Sequence, residues 1–407
     1  MIKKPKKLGE RTKMNKFLGY KLKAAMQFRG MGISDLARKV GLSKQLLSLY
    51  ANDDNTPPYE NVNKLAQALD FPYEFFVIED RCTTITDNTY FRSQASASKK
   101  SRKSQRIKLE YVAKIYEILL NYLDFPAIDI PKVDSANIDS SSMDSDDIFG
   151  AIENIADEVR KQWNLGRTPI KDFQFLLEKH GFIVTGFGLN YNKIDAFSQR
   201  IRIYKGTYLY IIALALGQKS LQRLRFDMAH ELGHVLLHPW EEETDALSKA
   251  EFNERERQAN MFASALLLPK DSFEADVSAY PTSLEYYQFL KKKWNVSIQA
   301  MLYRARQLNI ITANQFQYLM RQISKNGWRL REPGDIPGTM NETIFQGAID
   351  MLFQEGYFNQ SSLLRKFSEY GIAMRVHDLN DLLQLREGMF DPEPEIYIKP
   401  KLIKSIK

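Results

Sequence analysis

The sequence predicts a mainly α protein of the α+β class, built from more than one unit. Three observations carry this. The chain has 407 residues, too many for one ordinary core when domains cluster near about 100–150 residues, so two to four units are expected. Apolar residues recur at helical spacing through most of its length. Only three short segments, "FIVTGF", "QRIRIY" and "TYLYIIALAL", read as strands, and they fall together in the middle of the chain.

Composition bounds the setting. A hydrophobic fraction of 44% suits packed globular folding, and the formal charge of +7 permits nucleic-acid contact without requiring it. The single cysteine, Cys82, excludes an internal disulfide and a multi-thiolate zinc site. The start "MIKKPKKLGERTKMNK" lacks the apolar stretch of a signal peptide. The longest apolar run, Tyr208–Leu216, is far short of the roughly 20 residues that span a membrane. These features predict a cytoplasmic protein.

The first 25 or so residues are basic, with nine Lys or Arg, among them Lys3, Arg11 and Lys16, against Glu10 alone. Five short helices follow, each bounded by Gly, Ser or Pro: "YKLKAAMQFRG", "ISDLARKVG", "SKQLLSLYAND", "YENVNKLAQALD" and "PYEFFVI". The second and third fit a helix-turn-helix. Leu36, Ala37 and Val40 would pack inward, Gly41 would make the turn and Ser43 would cap the second helix. Lys44, Gln45 and Ser48 would then face a DNA groove, where Gln pairs with adenine and Lys with guanine. This predicts an all-α domain at residues 1–80 with a basic arm that adds phosphate contacts.

Residues 81–146 read as a basic, helical connector ending in a linker. "KKSRK", Lys99–Lys103, is either a phosphate contact or a solvated spacer, and "PKVDSANIDSSSMDSDD" has little to bury. From Asp147 the pattern becomes helix, helix, strand, two strands joined at Lys205-Gly206, and then further helices to about residue 330. The "TYLYIIALAL" strand could offer an edge to an extended substrate or be a core strand, which its apolar run favours. After "EPGDIPG" a helical region, residues 331–407, closes the chain and could form a second small helix-turn-helix-like unit.

The chemistry concentrates in "RFDMAHELGHVLLHPW", which holds three of the five histidines. His230 and His234 are four residues apart, so on a helix both rings leave one face and can share one tetrahedral metal. Glu231 lies about 100° around, beside that face. From there it can take the proton of an attacking water without itself being a ligand. His238 is a further four-residue step, but three such histidines span about 11–12 Å of helix, too far for one ion. It is assigned a supporting place behind the ligands. The third ligand is expected in "EFNERERQANMFASALLLP". By helical phase Glu256 shares the small-residue stripe of Ala259, Asn260 and Ala263, whereas Glu251 and Glu254 point aside. An acid on such an inward stripe is costly unless paired or bound to a cation. The predicted set is His230, His234 and Glu256 around Zn²⁺ with one open position, and Asn260 behind a ligand.

"RFDMAHELGHVLLH" followed by "ERQANMFASALLLP" resembles the ImmA/IrrE family of zinc metallo-endopeptidases. The resemblance covers roughly Asp147–Trp328 and implies a zincin-like metallopeptidase domain at residues 147–330. It further implies a protein substrate, a helix-turn-helix repressor of a mobile element or stress regulon. Residues Phe17–Phe76 resemble the Cro/repressor-type (XRE) family, with Ala51 and Asp53 standing where a Glu and a Gly are usual. That domain is expected either to contact double-stranded DNA or to dock a homologous repressor. Two other readings stay open: a DNA-binding regulator whose zinc fold is a sensor or is silent, and a toxin or phage-defence component. Tyr303 and Arg304 are candidates for stabilising the oxyanion.

Overall fold

The computed structural model describes residues 16–82, 84–91, 99–134, 138, 145–188, 196–217, 219–240 and 247–391. The first fifteen residues of the basic arm and much of the Ser/Asp-rich linker lie outside them.

The N-terminal helices form where the stop signals place them. α1 (Gly19–Phe28), α2 (Ile33–Val40), α3 (Lys44–Ala51) and α4 (Tyr59–Leu69) are followed by a 3₁₀ turn at Tyr73–Phe76. Gly41 ends α2 in the left-handed region at φ 71°, and the Ser43 side chain accepts the Leu46 N–H to cap α3. These are local devices and need no tertiary help. The unusual Ala51 and Asp53 have a packing reason. A Cβ on Gly19 would meet the Tyr50 carbonyl oxygen at 2.5 Å, so only glycine lets α1 approach the end of α3. Asp53, at φ 62°, turns its carboxylate to accept the Gly19 N–H at 2.8 Å, which satisfies a free donor at the start of α1.

The sheet has four strands: β1 (Ile85–Phe91), β2 (Ile183–Phe187), β3 (Ala196–Arg202) and β4 (Tyr208–Ala215), in the order β1-β3-β4-β2. β3 is antiparallel to both β1 and β4, and β4 is parallel to β2. Two expectations change here. β1 was not foreseen, because "TITDNTYF" has neither an apolar run nor clean alternation. The β4 strand is interior, so it cannot offer the edge suggested for a substrate. Its backbone is used on both sides, and its apolar run reflects burial on both faces.

One face of the sheet carries Ile183, Phe187, Phe197, Ile201, Ile211 and Ala213 into a core shared with the N-terminal helices, α5 (Lys99–Leu119) and the C-terminal helices α14 (Ile344–Gln354), α15 (Gln360–Glu369) and α16 (Val376–Leu383). The other face carries Val184, Ala196, Ile212 and Leu214 against α6 (Ser145–Gln162), α7 (Phe173–Lys179), α8 (Leu221–Leu237), α9 (Lys249–Leu267), α10 (Lys270–Val277), α11 (Leu284–Trp294), α12 (Ile298–Gln307) and α13 (Ala313–Lys325). The "KKSRK" run is the first turn of α5, not a spacer: Lys100 pairs with Asp35 at 2.7 Å and the Ser104 hydroxyl donates to the Phe28 carbonyl at 2.8 Å. Arg29 binds Asp378 on α16 through two hydrogen bonds of 2.6 and 2.5 Å. Asp80 joins Lys21 of α1 to Lys114 of α5. The helix-turn-helix is therefore seated on the body of the protein through α1. Among the described residues no helix is long and apolar enough to cross a membrane. Burial pushes the Cys82 thiol up to about 12, which makes it a core atom and not a nucleophile.

Asp172 caps α7, accepting the Phe175 N–H at 2.9 Å. Glu178 near its end is 7% exposed and accepts the Ile344 N–H that opens α14 at 3.1 Å. Burial raises its carboxyl to about 7 from an ordinary 4.5, against the opposing pull of that hydrogen bond. The folded chain thus holds this proton more tightly than the unfolded one, so stability falls as pH rises from about 4.5 through about 7. Glu178→Gln removes the titration. Its stability relative to the native chain should be pH-flat below about pH 4 and gain on the order of 3 kcal/mol by pH 8. Denaturant unfolding of both proteins at pH 5 and pH 8 checks this, and an equal difference at the two pH values contradicts it.

Candidate metal centre

α8 is buried along nearly its whole length, between β3 and β4 on one side and α9 on the other. Gly233, between the two histidines, is what brings α9 close. A Cβ there would meet Phe262 at 3.1 Å and the Ala259 backbone at 3.2 Å. Glycine facing alanine lets the helices touch, and the contact carries Glu256 onto the His230–His234 face.

The structure brings the three expected ligands together. The Nε2 atoms of His230 and His234 are 3.0 Å apart. Glu256 sits 3.4 Å from the first and 3.1 Å from the second. Ligands at 2.0–2.1 Å on a tetrahedral ion stand about 3.3 Å from one another, so this group could hold one. Both imidazoles are buried, while Glu256 is partly open. The other two glutamates are committed elsewhere: Glu251 closes the capping box with Ser248 at the start of α9, and Glu254 pairs with Arg257 at 2.7 Å.

The surrounding hydrogen bonds decide which ring nitrogens carry protons. Asn260 Nδ2 donates to the Glu256 carbonyl at 2.7 Å, which turns its Oδ1 to His230 Nδ1 at 3.1 Å. His230 Nδ1 is therefore the donor, and its Nε2 keeps the lone pair. Gln258 Nε2 donates to Glu254 at 3.1 Å, which turns its Oε1 to His238 Nε2 at 3.2 Å. Burial, aided by the neighbouring His234, pushes ionisation of His238 well below its ordinary range, so the ring is neutral. His238 Nδ1 then accepts from His234 Nδ1 at 2.9 Å, and His234 Nε2 also keeps its lone pair. Two lone pairs and a carboxylate thus converge at 3.0–3.4 Å, an arrangement that repels itself unless a cation lies among them. The ligand set fits a metal on this chain's own chemistry.

Glu231 follows His230 on α8 and is fully buried. His238 lies at the C-cap with extended backbone, no longer on the helix, with its Nδ1 2.9 Å from His234 Nδ1. Gln258, which orients His238, was not foreseen. Its one sequence signal is its position four residues after Glu254 on the same side of α9. Arg304 is corrected. It is 0% exposed, donates to the Leu268 carbonyl at 2.9 Å and binds Glu153 through both terminal nitrogens, so it braces α12 and cannot reach an oxyanion. Tyr303 is 52% exposed and lines the same groove as Asn260.

Residues 179–306 match the family model described as the IrrE N-terminal-like domain of the M78 peptidases, and residues 22–76 match a helix-turn-helix model. The helix-turn-helix match thus precedes the IrrE-type match along the chain. No curated protein sequence matches it. The IrrE-type match includes α8, α9 and α12, and so contains all three metal-ligand candidates, Glu231 and Tyr303. The peptidase family implies a metal, and the His230, His234 and Glu256 group could hold one. On the helix-turn-helix, Lys44, Gln45 and Ser48 are all exposed on α3. The helix-turn-helix match supports DNA binding.

Proposed function

We propose that this protein is a zinc-dependent endopeptidase whose substrate is a helix-turn-helix repressor of a mobile element or stress regulon. The observation that carries the reading is the convergence of two imidazole lone pairs and the Glu256 carboxylate beside buried Glu231, within a segment that matches a peptidase family. Two nitrogens and one carboxylate oxygen, with a fourth position left open, suit zinc. Zinc bound there supplies Lewis acidity, making a water acidic and polarising the scissile carbonyl. The chain's own residues do the rest. His230, His234 and Glu256 hold the ion, and Asn260 and His238 fix the two rings. Glu231 takes the proton of the attacking water and delivers it to the departing amine. The decisive experiment is metal analysis and repressor cleavage with Glu231→Gln, developed in the Discussion.

The helix-turn-helix domain is proposed to hold the protease at an operator, which places it in the cytoplasm with its DNA. The helix-turn-helix match supports this, and Lys44, Gln45 and Ser48 are exposed as it requires. Lys99 and Lys103, exposed on the first turn of α5 beside α2, would extend the phosphate contacts. In the full-length chain, Lys44→Ala with Gln45→Ala should weaken duplex binding. Lys99→Ala with Lys103→Ala should make the plot of log K against log salt shallower by about 0.9 per lost phosphate contact. Fluorescence anisotropy over a NaCl series reads both, and unchanged slope and affinity would favour repressor docking.

A further inference from the structure

A groove of about 490 Å³ is lined at one point by Asn260, whose Oδ1 is 3.1 Å from His230 Nδ1. Arg223 and Asp227 of α8 line it, and by helical phase they share a face with His230 and His234, at steps of four, three and four residues. Tyr303 of α12 forms part of its opposite wall. Asp227 is paired with Lys219 inside the groove, so these two charges cancel. The charge that remains is cationic. Arg223 donates to the Arg329 carbonyl at 2.5 Å, and Arg329 donates to the Ser324 hydroxyl at 2.7 Å. Among the described residues neither guanidinium meets a carboxylate. A guanidinium holding only a neutral acceptor keeps most of its donors for an anion, and a carboxylate fits its planar fork.

Resting on the peptidase reading, we infer that this groove is a specificity pocket for an acidic side chain of the protein substrate, held by Arg223 and Arg329. The position follows from the fold. Arg223 precedes His230 by seven residues, about 10 Å along a helix, and an extended peptide covers that distance in about three residues. The glutamate or aspartate therefore stands about three residues from the bond that is cut, on one side only.

The test uses full-length protein loaded with zinc. The probes are labelled eleven-residue Ala/Ser peptides with a central Phe, in which one glutamate is moved position by position. Binding is measured on the non-cutting Glu231→Gln chain and cleavage on the native one. Glutamate about three residues from the Phe should tighten binding by about tenfold over lysine at the same place. Arg223→Glu with Arg329→Glu should reverse that preference, and the milder Arg223→Gln with Arg329→Gln should abolish it, with zinc content unchanged in both. Binding that ignores the position or sign of the charge overturns the inference. Retained glutamate preference without cleavage by the native chain leaves the pocket standing and sinks the peptidase reading instead.

Discussion

Glu231→Gln is expected to leave the metal content unchanged and to slow repressor cleavage by about 10²- to 10⁴-fold, the usual contribution of a positioned general base. Glutamine keeps the shape of the side chain and the packing of a residue that is 0% exposed, but it cannot accept a proton from water at neutral pH. The three ligand atoms are untouched, because Glu231 sits around the helix from the His230–His234 face. Elemental analysis of the purified variant, alongside gel and mass-spectrometric detection of cut repressor, separates the two effects. A variant that cuts like the native chain would show that the base lies elsewhere. A native chain without stoichiometric zinc would remove the catalytic reading altogether.

Replacing Glu256 by alanine should have the opposite signature, losing the metal itself. The two imidazoles present neutral lone pairs 3.0 Å apart, and the carboxylate is the one negative ligand in the set. Its loss should weaken zinc binding by more than the roughly 10–100-fold that removal of a supporting residue costs. That smaller range is expected for Asn260→Ala, which frees the His230 ring, and for Gln258→Ala, which frees His238 and through it His234. Chelator competition gives the order of affinities. Thermal unfolding gives a second reading: zinc at 100 times its Kd should stabilise the native protein by about 2.7 kcal/mol, and the same zinc concentration should do little for the alanine variant. Equal affinity in all four proteins would mean that the metal does not sit among these side chains.

The N-terminal helices were legible because their signals are local. Gly41 and Ser43 act within one turn of their own helices, so no distant residue could override them. β1 was not legible: its mixed polar sequence becomes a strand through pairing with β3, more than a hundred residues on. For the same reason the sequence left open whether β4 was an edge strand. Register and neighbours in a sheet are non-local, and an apolar run only says that both faces are covered.

The metal site divides along the same line. Periodicity alone determined that His230 and His234 share a face, that Glu231 stands beside it, that His238 falls too far along, and that Glu256 is the inward acid of its helix. Those are consequences of 100° per residue, and they hold wherever a helix forms. Tertiary structure decided what the helices do to each other. It showed that Gly233 admits Ala259, that Gln258 sets the protons on His238 and His234, that Arg304 is spent on Glu153, and that Arg223 and Arg329 meet at the end of one groove. A sequence fixes the angle at which a side chain leaves its own helix. The partner at the other end of a hydrogen bond is chosen only when a second helix arrives.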